Sequence, residues 1–192
     1  TDGGATYGQV AKLTASDASS SDRFGISVAI DGNTVVVGAY YRIAGRGAVY
    51  VFRTLDGGAT YVELAMLTAS DAAWNNYFGY SVAIDGSTVV VGAYYATNNY
   101  EGAVYVFRTS DGGATYDEVA KLTASDAASN DRFGISVAID GGTIVIGASR
   151  DDDGGGESGS AYVFRTSDGG ATYGQVAKLT AADAASYDYF GY

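Results

Sequence analysis

Apolar and polar positions alternate in blocks along this chain, and the blocks return in the same order three times. In the first full unit, the apolar run ISVAI (26–30) meets Asp31-Gly32, and TVVVGA (34–39) comes next. A variable polar loop then leads to AVYVF (48–52), the turn TLDGGAT, and YVELAMLTA (61–69). Asp-Gly between two β-branched runs is a hairpin signal, because glycine accepts the positive φ that a tight turn requires. The Val and Ile runs of this hairpin predict inner strands covered on both faces, whereas the fourth run interleaves polar residues and predicts an outer strand covered on one side.

Phe-Gly marks the phase at Phe24-Gly25, Phe78-Gly79, Phe133-Gly134 and Phe190-Gly191, with spacings of 54, 55 and 57 residues. The drift comes from the loop after the second run, where SRDDDGGGES (149–158) stands in place of YYRIAGR (40–46). Four antiparallel strands in a unit of this length predict an all-β fold, a β-propeller-type array of four-stranded antiparallel blades. The blades fall at residues 24–77, 78–132 and 133–189, with partial repeats at 1–23 and 190–192 forming one continuous array. Stacked hairpins in a solenoid, or a sandwich, are the competing arrangements.

The ends do not balance. Residues 6–15 read as a fourth-type strand with no third strand before it, and YFGY starts a unit that is not completed. Three blades are fewer than the four to eight that close a propeller, so blade faces are left open. The expectation is a homo-oligomer, a polymer, or continuation into further repeats, as in an extracellular fibre or surface layer.

Composition removes several chemistries. The chain has 192 residues with no His and no Cys, which rules out a Ser-His-Asp triad, a thiolate nucleophile and an ordinary structural zinc site. A formal charge of −11 argues against nucleic acid as a partner. No apolar run is long enough to span a bilayer, and no signal-like segment opens the sequence. The expectation is a protein that is not an enzyme and needs no cofactor.

The order FG, SVAIDG, VVVGA, GAVYVF and AKLTASD, repeated over essentially the whole chain, resembles the FG-GAP repeat family, related to the β-propeller of integrin α subunits. The resemblance implies an extracellular or cell-surface protein, with blades that serve adhesion or ligand binding. Two departures stand out. The GAP element of the motif reads GAY at Gly38-Ala39-Tyr40 and Gly92-Ala93-Tyr94, and GAS at Gly147-Ala148-Ser149. The calcium loop that the family places between the first two strands is replaced by the short turns IDGNT, IDGST and IDGGT.

Repeated residues favour structural roles. Asp31, Asp85 and Asp140 read as turn formers, as do Asp56, Asp111 and Asp168 in the DGGAT loops. Arg53, Arg108 and Arg165 each close a third strand, which predicts a recurrent bond to a neighbouring acidic or carbonyl group. Function is expected where the repeats differ, in loops on one rim. There Tyr40, Tyr41, Tyr94, Tyr95 and Tyr100 are candidates for a protein interface, for covering a blade edge, or for stacking on a glycan. Asp151, Asp153 and Glu157 belong to the only acidic cluster and are candidate oxygen ligands for Ca2+, although their spacing is not that of an EF-hand. Two readings result: a structural or adhesive, self-associating module, or a propeller that binds a glycan or peptide through its rim loops. A carboxylate-based hydrolase is a weaker third.

Overall fold

The computed structural model describes residues 8–97 and 99–192 and contains three four-stranded antiparallel sheets. The first holds β1 (Val28–Asp31), β2 (Thr34–Ala39), β3 (Ala48–Arg53) and β4 (Val62–Leu67) in sequential order. The second holds β5 (Ser81–Asp85), β6 (Thr88–Ala93), β7 (Ala103–Arg108) and β8 (Asp117–Leu122). In the third, β9 (Phe133–Asp140), β10 (Thr143–Ala148), β11 (Ser160–Arg165) and β12 (Gly174–Leu179) keep the same order. The only helical turn among the described residues, α1 (Arg42–Gly45), is irregular, with Ile43 and Ala44 in left-handed conformations. First strands of successive blades stand side by side, β1 against β5 and β5 against β9, and the array does not close on itself.

Each blade begins with a two-residue hairpin. Asp31 pairs with Thr34, so the positive φ of 51° falls on Gly32, the first central residue of the turn. The aspartate is thereby the last residue of its strand, and its carboxylate is free to reach sideways. Asp31 Oδ2 accepts the Gly86 N–H at 2.6 Å, and Asp85 Oδ2 accepts the Gly141 N–H at 2.6 Å. These aspartates therefore clasp the next blade's hairpin as well as shaping their own.

Glycine sets how closely the blades approach. A Cβ on Gly38 would lie 2.0 Å from the Gly79 carbonyl oxygen, and one on Gly92 would lie 2.0 Å from that of Gly134. The same carbonyls accept hydrogen bonds from Ser27 Oγ and Ser81 Oγ, both at 2.8 Å. Beside them, Phe78 and Phe133 are fully buried, each bridging in parallel to Gly47 or Gly102 of the preceding blade. Their rings meet Tyr105 and Tyr162 edge-on, with centroids 5.5 and 5.4 Å apart.

Two continuous apolar layers result. Val36, Val51 and Leu67 of blade 1 pack with Val82, Ile84, Val89 and Phe107 of blade 2. Val90, Val106 and Leu122 of blade 2 pack in the same manner with Ile144, Ile146 and Phe164 of blade 3. The expectation that inner strands are covered on both faces holds for β5, whereas Val28 and Ile30 of β1 are 66% and 65% exposed, with no neighbouring blade over them among the described residues. The fourth-type strand expected over 6–15 is not formed: residues 8–15 belong to no strand, having no third strand to pair with, and residues 6 and 7 lie outside the described residues.

Candidate functional site

The variable loops all join a second strand to a third, so they share one end of the array. Tyr40 sits edge-on to Tyr41, Tyr77 and Tyr80, with centroids 5.9, 5.2 and 5.5 Å away. Tyr94 lies 4.4 Å from Tyr80 and 4.5 Å from Tyr95, and Tyr95 lies 4.8 Å from Tyr100. All five rim tyrosines expected from the sequence thus join one continuous aromatic surface. Tyr77, Tyr80 and Arg132 also belong to it and were not anticipated. The sequence does carry a signal for the two tyrosines, which flank the repeated Phe78-Gly79 pair as YFGY.

The Arg132 guanidinium lies over the rings of Tyr94 and Tyr95, 5.8 and 5.4 Å from their centroids, and donates to Tyr95 Oη at 3.2 Å. Burial raises the hydroxyl pKa of Tyr77, Tyr80 and Tyr94 above the ordinary 10. Tyr41 and Tyr100 are its most exposed expected members. A cleft next to Tyr100 is lined by Asp71, Trp74, Asn76, Tyr95 and Lys121.

The acidic loop resolves differently from the sequence expectation. Asp151 and Asp153 do converge, but their third member is Asp126, and Lys178 Nζ stands among them at 2.9, 2.5 and 2.7 Å respectively. Tyr162 Oη donates within the same group, 2.8 Å from Asp151 and 2.9 Å from Asp126. Glu157 does not join them; it pairs with Arg150 at 2.9 Å. Although burial opposes charge on Lys178, its bonds to Asp126, Asp153 and Asp151 raise its pKa above the ordinary 10.5. With the ammonium in place the donor set does not fit Ca2+, which takes six to eight oxygen ligands.

This arrangement is the third version of a node built into every blade. Tyr105 Oη donates to Asp71 at 2.6 Å, and Lys121 bonds the same carboxylate at 2.5 Å. In blade 1, Tyr50 Oη donates to Asp17 at 2.7 Å, but Met66 takes the position opposite Tyr50 that Lys121 takes opposite Tyr105. Arg42, from the variable loop, supplies the missing cation at 2.5 Å from Asp17.

Arg53, Arg108, Ser16 and Ser70 also reach the next blade, whereas Arg165 and the loop aspartates bond within their own. Arg53 Nη1 donates to the Gly112 carbonyl and Arg108 Nη1 to that of Gly169; Arg165, in the last blade described, instead bonds Thr143 Oγ1 at 3.2 Å. Ser16 and Ser70 each bond the next outer strand, reaching Glu63 and Glu118 through both amide and hydroxyl at 2.8 Å. Asp56 accepts from Thr54 Oγ1, Thr60 Oγ1 and the Thr60 N–H, and the Thr60 bonds chiefly lower its pKa to about 2. Asp111 and Asp168 are lowered by the same bonds in their own loops.

Comparison with known proteins agrees with this geometry. The chain is 34% identical over 129 residues to integrin alpha pat-2 of Caenorhabditis briggsae, a match that spans 62% of this chain and 10% of that protein. In fold it resembles the crystal structure of Saccharomyces cerevisiae Sqt1, with a TM-score of 0.54 at 11% identity over 86% of this chain and 38% of that one. The FG-GAP repeat model matches residues 7–52, 61–107, 116–164 and 173–192. With four matches that together cover most of its length, the chain belongs to the FG-GAP repeat family.

Proposed function

We propose that this chain is a non-enzymatic structural and adhesive repeat module, working outside the cell or at its surface, whose blades continue into further blades of the same kind. The observation that carries this reading is the contrast between equivalent residues inside and at the ends of the array. Leu67 and Leu122 are each 4% exposed at internal junctions, whereas their counterpart Leu179 is 46% exposed. Val82 and Ile84 are each 9% exposed, against the values near two thirds for Val28 and Ile30. Both outer faces are thus shaped like a junction with one side missing, which favours association with another copy or with additional repeats. Integrin-type kinship supports an adhesive, cell-surface setting, and the repeated acids are engaged in turns and nodes instead of forming a distinct catalytic pair. Sedimentation velocity across micromolar concentrations tests the association of copies: a concentration-dependent shift to larger species is expected, and a monomer throughout refutes that association.

The cleft beside Tyr100 favours a second reading, in which the rim binds a glycan. Trp74 is 67% exposed there, next to Asn76, Asp71 and Lys121, which combines a stacking ring with hydrogen-bonding groups. Binding to a glycan array that is lost in Trp74→Ala supports it, and binding unaffected by that substitution removes it.

A further inference from the structure

The self-association reading leaves open how one copy seats on another, and a duplicated segment supplies a route. Residues 8–13 read GQVAKL, letter for letter the sequence of β12. β12 is paired along β11, with Val163 opposite Ala177 and Tyr162 opposite Lys178, whereas residues 8–13 lie in no strand and Val10 is 77% exposed. The likeness runs on through Thr14-Ala15 and Thr180-Ala181, Asp17 and Asp183, Asp22 and Asp188, and Phe24-Gly25 and Phe190-Gly191.

Resting on that reading, we propose that a second copy of this chain docks blade 1 against the outer face of blade 3 by segment exchange, its residues 8–25 replacing residues 174–191. The replacement is conservative bond by bond. Gln9 takes the part of Gln175, whose Oε1 accepts the Ser125 N–H at 3.0 Å. Lys12, which has no carboxylate partner among the described residues, replaces Lys178 between Asp126, Asp151 and Asp153. Phe24 replaces Phe190 beside Gly159, and the Gly25 carbonyl replaces that of Gly191, which accepts from Ser136 Oγ at 2.8 Å.

Because the exchanged residues are nearly the same, exchange alone costs little, and the balance is set by the contacts that the incoming blade then makes. That blade arrives in the register already seen twice within the chain. Its Val28 and Ile30 cover a face bearing Val145 and Val163, as Val82 and Ile84 cover Val36 and Val51. Two further bonds become available: Asp140 accepts the incoming Gly32 N–H, and Arg165 leaves Thr143 for the Gly57 carbonyl. Both repeat the bonds that Asp31 and Arg53 make to blade 2. Reciprocal exchange by two copies gives six blades, within the range that closes a propeller, while one-way exchange gives an open array.

The absence of cysteine makes the test direct. Ala11 corresponds to Ala177, the residue paired with Val163. A chain with Ala11→Cys is mixed with one carrying Val163→Cys and mildly oxidised. The expected result is a shift of most of the protein to the mass of a linked pair, with no comparable shift when Val163→Cys is mixed with Ala177→Cys. Hydrogen exchange on the unsubstituted chain gives an independent readout: on association, amides 8–13 gain protection and amides 174–179 lose it. Association by sedimentation without that linkage or that reversal overturns the exchange while leaving face docking intact. A monomer at every concentration overturns the docking reading itself.

Discussion

Substituting Asp131 by Asn should stabilise the protein at neutral pH and leave it unchanged in acid. The Asp131 side chain is buried, and its Oδ2 accepts the Ala128 N–H at 2.7 Å. No Lys or Arg among the described residues lies within ion-pair distance of it. Desolvation pushes its pKa up to about 6, the Ala128 bond works against the rise, and the charges of Asp151 and Asp152 add to it. The folded carboxyl therefore titrates above its ordinary 3.8, and the folded state holds the proton more tightly than the unfolded chain. Its contribution is fully present below about pH 4 and is lost as pH rises through about 6, a difference of at most about 3 kcal/mol. Asn cannot ionise, and its amide oxygen can accept the same N–H; Asn76 already occupies the equivalent position in the preceding repeat. The gain from Asp131→Asn should be near zero at pH 4 and reach about 1–3 kcal/mol by pH 7.5, raising Tm by about 2–4 °C per kcal/mol. Urea unfolding followed by circular dichroism at several pH values measures the difference, in which titrations common to both proteins cancel. A gain independent of pH, or a loss at pH 7.5, refutes the assignment of a buried, unpaired carboxylate.

Removing the hydroxyl in Tyr105→Phe takes the donor from Asp71 and should cost about 1–2 kcal/mol in urea unfolding at pH 7. Arg42→Ala should destabilise blade 1 by about 1 kcal/mol, and adding Met66→Lys should recover most of that loss in a double-mutant cycle, since it restores the cation found opposite Tyr105. Gly92→Ala places a methyl group against the Gly134 carbonyl and should lower stability by more than about 3 kcal/mol, whereas Gly86→Ala, which meets open space, should cost about 1 kcal/mol through its positive φ. Thermal unfolding of the two glycine variants side by side checks the difference.

The strands were legible because hairpin chemistry and apolar runs are local signals. Asp31-Gly32 and its repeats fixed the first hairpins, and the change from continuous to alternating apolar residues separated inner strands from β4, β8 and β12. Less legible was anything decided by the distance between blades. Nothing near Asp151 in the sequence indicates Lys178, which comes from the outer strand of the same blade, or Asp126, which comes from the segment leading into it. Arg42 reads as an ordinary loop residue until Met66 is seen opposite Tyr50. The rim tyrosines were visible as a group, but Tyr77 and Tyr80 join it only through the bridge between Phe78 and Gly47 of the preceding blade, which sets them beside Tyr40 and Tyr94.

The sequence repeat and the blade are out of step: a repeat such as 61–107 starts with the outer strand of one blade and ends with the third strand of the next. Each unit of sequence therefore stitches two units of structure together. Recombination between two such near-identical stretches, wherever it falls within them, removes or inserts a whole repeat and still leaves four strands in every blade. The clasps from Asp31, Arg53, Ser27 and Ser16 all reach one blade forward, so any repeat can succeed any other without a new interface having to arise. Blade number in such an array can thus change by gene rearrangement alone, while the chemistry at each seam stays as it was.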